Sequence, residues 1–101
     1  MINIYCGRTE ETYTVAITGH AGQAAAGRDI VCAAVSSLAQ ALHGYLLNHA
    51  AEIPVFLADR QRGKANFCFE ANAAAAPAYE LCRIGFLQIA MEYPDFVRMV
   101  A

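Results

Sequence analysis

From Ile30 to Ala51 the chain runs for 22 residues without an Asp, Glu, Lys or Arg. A charge-free stretch of that length has two physical outlets. It can cross a bilayer, which takes about 20 apolar residues, or it can form a helix with one side in a protein core. The order of side chains within it separates the two. Val31, Val35, Leu38, Leu42 and Leu46 make an apolar stripe, while Ser36, Gln40, His43 and Asn48 recur near helical spacing on a line of their own. This pattern predicts an amphipathic helix that buries most of its surface in a small core, and a membrane span is the poorer reading. Asp29 is the expected N-cap, because its carboxylate can accept a free backbone N–H. Gly44 weakens or bends the helix, which is expected to end near Ala51.

The flanking segments have to supply the surface against which this helix packs. Ile2, Ile4 and Cys6 alternate with Asn3 and Tyr5. After the polar turn "GRTEE", Tyr13, Val15 and Ile17 alternate with Thr12, Thr14, Ala16 and Thr18. Period-two alternation with β-branched residues predicts a hairpin. "IPVFLADRQRGKANFCFEA" predicts two more strands around a turn from Arg60 to Gly63, with Pro54 at a strand start and Phe67 and Phe69 on one face. A second helix begins near Pro77, buries Cys82, Phe86 and Ile89, and stops before Pro94. The tail "DFVRMVA" adds a turn or a strand.

The expectation is an α+β fold of one domain, residues 1–101, in the order ββαββα. An antiparallel sheet is covered by two helices in two layers, and its strand order is open. Tyr5, Tyr13, Phe67 and Phe69 are assigned to the sheet core. With 57% hydrophobic residues, a chain of this size has the apolar surface to form such a core.

Composition also removes function classes. The net charge is −2 and the seven basic residues are scattered, which argues against direct nucleic-acid binding. Cys6, Cys32, Cys68 and Cys82 form no C-x-x-C pair and no zinc-like grouping with His20, His43 or His49. No metal and no cofactor are expected. The start "MINIYCGRTE" lacks a signal-peptide pattern, so free thiols in a cytoplasmic protein are the expectation. Core packing is expected for Cys6, Cys68 and Cys82.

Cys32 is different because it falls on the third helical position after Asp29. Backbone N–H groups and the helix dipole favour a negative sulfur there, although the Asp29 carboxylate opposes that effect. A thiol nucleophile also needs an imidazole. His43 lies eleven residues further along the same helix, roughly 16 Å away at 1.5 Å per residue, and His49 is farther still. His20, at a strand end, is the histidine that folding can bring to the sulfur. Between them lie Ala21, Gly22, Gln23, Ala24, Ala25, Ala26, Gly27 and Arg28, a short stretch expected to be a flexible substrate loop. Against this stands the plainer reading that a cysteine near a helix start is a small packed hydrophobe. Ser36, one turn after Cys32, is a supporting or locally bonded residue.

The segments "GHAG" and "GRDIVCAAVS", with "AMEYPDFV" near the end, resemble the ribosomal-processing cysteine protease family Prp. Ser37 and Leu38 stand where "AL" is common in that family, and "DRQRGKA" matches no motif. The resemblance implies an endopeptidase with a Cys–His dyad, placing the nucleophile on Cys32 and its partner on His20, with Asp29 orienting or structural. It implies removal of the N-terminal extension of large-subunit ribosomal protein number twenty-seven, with cleavage after a phenylalanine pair. It also implies a homodimer and a loop that opens and closes around substrate. Two other classes compete with it. One is a non-enzymatic dimeric peptide-binding module associated with ribosome assembly. The other is a thiol redox protein, for which no cysteine neighbours Cys32 in sequence.

Overall fold

The N-terminal alternation folds as a hairpin: β1 (Ile2–Arg8) and β2 (Thr12–Thr18) pair antiparallel, with Ile4 opposite Ile17 and Cys6 opposite Val15. Thr9 closes the turn, its hydroxyl oxygen accepting from the N–H groups of Glu11 and Thr12 at 3.1 and 3.0 Å. The computed structural model describes residues 1–20 and 29–100. The expected loop Ala21–Arg28 lies outside the described residues.

Helix α1 (Ile30–Asn48) follows, then β3 (Val55–Gln61), β4 (Lys64–Glu70), α2 (Ala76–Glu92) and β5 (Val97–Val100). The sheet order is β3-β4-β2-β1-β5. The two-layer α+β arrangement is as expected, with the tail adding a fifth strand. That strand makes the sheet mixed: β5 runs parallel to β1 while the other neighbours are antiparallel. The parallel pair is joined through helical crossovers, as parallel strands require.

The register places the apolar side chains of the sheet in rows on one face. Ile4, Val15, Phe67 and Phe69 are wholly buried there beneath Val31, Val35, Ala39, Leu42 and Leu46 of α1 and Tyr79, Cys82 and Phe86 of α2. Tyr13 stacks on Tyr79 with ring centroids 4.2 Å apart, fastening α2 to the hairpin. The helices approach each other at Gly85, where a Cβ would come within 2.7 Å of a Leu38 methyl. Asn72 braces the entry to α2: its side-chain oxygen accepts from Ala75 N–H, and its amide donates to Glu52 O and Glu70 Oε2.

Three expectations need correction. Helix α1 ends at Asn48 and buries a stripe rather than most of its surface, leaving Ile30 and Leu47 exposed. The sheet and α2 cover its inner side, and a two-layer fold supplies nothing for its outer one. Tyr5 is not in the core. Strand alternation turns it to the opposite face from Ile4, where its ring lies across Gly7. Cys68 is on that outer face too, half-buried, with the Thr14 hydroxyl donating to its sulfur at 3.8 Å. Cys82 is buried and Cys6 packs at the core margin.

Candidate active site

Beyond β2 the chain turns at Gly19, whose φ of +99° is a left-handed conformation. A Cβ at Gly19 would lie 2.2 Å from the Met1 carbonyl oxygen, so the backbone passes where a side chain has no room. The Met1 nitrogen donates to His20 O at 2.7 Å, and Gly19 N–H donates to Gly63 O at 2.9 Å. The backbone at His20 is thus tied to the start of β1 and to the β3–β4 turn.

The other half of the site begins at Asp29, which has extended backbone angles and caps α1. Its Oδ1 accepts from Val31 N–H and Cys32 N–H, each at 3.0 Å. The hydrogen bond from Cys32 N–H is the main reason the Asp29 carboxyl lies below its ordinary pKa. The Cys32 thiol, Val31 N–H and the charge of His20 act in the same direction, and burial acts against them. Cys32 therefore sits in the first turn of α1, as expected, with its thiol donating to the cap residue.

His20, Asp29, Cys32 and Ser36 border one cleft of about 590 Å³ between α1 and the β3–β4 turn. Ile2, Ile17, Val35 and Ala39 line its apolar side, and Arg60, Arg62 and Lys64 line its basic side. The other histidines are engaged elsewhere. His43 Nδ1 accepts from Arg60 Nε at 3.0 Å, and His49 stacks on Tyr45 and lies 3.3 Å from Glu52. Among the described residues, no three His, Cys, Asp or Glu side chains converge as metal ligands do.

The family model described as cysteine protease Prp matches residues 1–98. The chain belongs to the cysteine protease Prp family. This Prp family member is a cysteine protease. No curated protein matches it in sequence, but solved structures do match in fold. A crystal structure of an essential ribosomal processing protease Prp from S. aureus, with a covalently linked product peptide, superposes with a TM-score of 0.77 at 19% identity. It covers 98% of this chain and 97% of that one. The S. aureus protein with a substrate peptide gives 0.72 at 19% identity, covering 99% and 98%. SMU.848 from Streptococcus mutans gives 0.70 at 29% identity, covering 98% and 91%.

The remaining thiols of this Prp protein lie away from the cleft. Burial pushes Cys6 from the ordinary 9.0 to about 11; the neighbouring Cys82 adds to the rise and Arg83 offsets part of it. Burial also raises Cys82. What the sequence did not disclose is the contribution of the β3–β4 turn. "DRQRGKA" has a hairpin glycine as its only signal, yet this turn forms one wall of the cleft and meets His20.

Proposed function

We propose that this protease is an endopeptidase acting through a Cys32–His20 dyad, with the N-terminal extension of large-subunit ribosomal protein number twenty-seven as its substrate and cleavage after a phenylalanine pair. The observation that carries this reading is the meeting of His20 and the α1 N-terminus at one cleft with an apolar side suited to an aromatic ring. The ribosomal-processing role of the S. aureus relative supports the choice of substrate.

In the first step His20 takes the Cys32 thiol proton, and the thiolate attacks the scissile carbonyl carbon. A C–S bond forms and the carbonyl electron pair moves to oxygen. Collapse of this intermediate breaks the C–N bond while His20 gives its proton to the departing amine. Water then attacks the thioester with His20 as base, releasing the new carboxyl end and restoring the thiol. Asp29 holds the N–H groups of Val31 and Cys32, so the oxyanion needs a donor outside that pair. The test is turnover of an extension peptide containing the Phe pair, with the cut located by mass spectrometry. Cys32→Ala and His20→Ala should each lose at least about 10³-fold in kcat while keeping the wild-type circular dichroism. Turnover by a folded Cys32→Ala protein removes the mechanism, and binding without cleavage by the wild type favours a peptide-binding module.

We further infer a homodimer working in the cytoplasm, where the nucleophilic thiol stays reduced. Exposed apolar side chains support the association: Phe56 and Leu57 on the edge strand β3, and Leu81 and Met91 on α2. Light scattering over a concentration series should give twice the chain mass. A monomer at high micromolar concentration counts against the dimer, and recovery of the native protein outside the cytoplasm counts against the location.

A further inference from the structure

Gly63 is the second residue of the turn between β3 and β4 and has a φ of +74°. Strand pairing sets its place. Thr18 of β2 lies opposite Lys64 of β4, so the next residues outward are Gly19 and Gly63, joined by the hydrogen bond from Gly19 N–H to Gly63 O. His20 follows at once, and its ring lies against the bare Cα of Gly63. An L-side-chain Cβ at this position would be 2.5 Å from His20 Nε2, 3.0 Å from Cε1 and 3.4 Å from Cδ2.

Resting on the dyad reading, we propose that Gly63 is a positioning residue for His20, a seat without a side chain that sets where the imidazole Nε2 lies. Three features make the seat effective. His20 is an exposed residue that follows the strand end, outside the packed core. The turn is anchored by β4, an inner strand whose Ala65 and Phe67 are buried two and four residues further on. The atom in closest approach is the end of the imidazole rather than backbone. An added Cβ therefore displaces the ring and leaves the sheet in place. Restoring an ordinary contact takes a shift of about 1 Å, and misplacing a reacting group by that much can cost about 10²-fold in rate.

The experiment is a double-mutant cycle of Gly63→Ala and His20→Ala. It measures peptide turnover, the rate of Cys32 alkylation by iodoacetamide from pH 5 to 9, and thermal stability. Gly63→Ala should lower kcat about 10- to 100-fold with KM within about threefold. It should also move the alkylation profile toward that of His20→Ala. In the His20→Ala background, where the ring is gone, Gly63→Ala should leave alkylation unchanged. Asn tolerates a left-handed φ but carries a Cβ, so Gly63→Asn should reproduce the loss even where backbone strain unfolds the alanine variant. A kcat within threefold of wild type in a folded Gly63 variant overturns the proposal. So does an equal slowing of alkylation with and without His20, which would place the effect in the turn itself. Wild-type turnover and alkylation in His20→Ala would instead overturn the dyad, and the seat with it.

Discussion

Cys32 and Cys82 both belong to helices and both touch the core, yet their surroundings differ. Cys32 occupies the first turn of α1, bordering the cleft with His20, where the helix end favours negative charge. Cys82 lies inside α2, 5% exposed, in a part of the helix whose amides are already paired, and its nearest charge influence on another thiol falls on Cys6. The place of a thiol along its helix therefore governs its chemistry. Helix content and apolar contact are common to both residues; a helix end and a place on the cleft that His20 also borders belong to Cys32.

Alkylation gives the largest expected contrast. With its pKa raised from 9.0 to about 11, Cys6 holds roughly 100-fold less thiolate near neutral pH than an ordinary cysteine. Cys82 must in addition be uncovered before a reagent reaches it. Mass-mapped iodoacetamide labelling of the native protein should therefore modify Cys32 first, with Cys6 and Cys82 at least about 100-fold slower. Labelling of Cys6 should climb about tenfold per pH unit toward its raised pKa. If Cys6 or Cys82 reacts before Cys32, the distinction between helix end and helix interior fails.

The same two regions show what a sequence makes legible. The stripe from Val31 to Leu46 and the alternation of Ile4, Val15 and Phe67 are local patterns, and they announced both helices, four strands and a two-layer fold. Asp29 as the cap was legible for the same reason, since a carboxylate serves the amides two and three residues on. Alternation alone does not say which rows a layer will cover. Tyr5 and Cys68 have the composition of core residues, but they point to the face that no helix covers. Gly63 was illegible for a stronger reason. Its partner, His20, lies 43 positions earlier, and only the pairing of β2 with β4 brings them together. The tail became a fifth strand through its pairing with β1, where Ile2 meets Val97 from the other end of the chain.

Asp29 sharpens the comparison with the smallest expected effect, because its two actions on Cys32 have opposite signs. Its hydrogen bonds from Val31 N–H and Cys32 N–H hold the helix end in place, while its charge opposes a thiolate in the same turn. The Cys32 N–H bond, first among its causes, depresses the carboxyl pKa in the folded state. The unfolded chain therefore takes up a proton at Asp29 more readily than the folded one. The stabilising contribution is complete above the ordinary carboxyl pKa near 3.8 and is lost as pH falls through the lower folded value. Asp29→Ala should lower the Tm at pH 7, and its difference from wild type should shrink steadily below about pH 4. A Tm difference that stays constant from pH 7 to pH 2.5 would show that the carboxylate is not the stabilising group. Asp29→Asn separates the two actions, since asparagine caps nearly as well but carries no charge. Its Tm at pH 7 should stay near wild type, and Cys32 should alkylate a few-fold faster with the opposing charge removed. Slower alkylation in Asp29→Asn would show that the carboxylate favours the thiolate rather than opposing it.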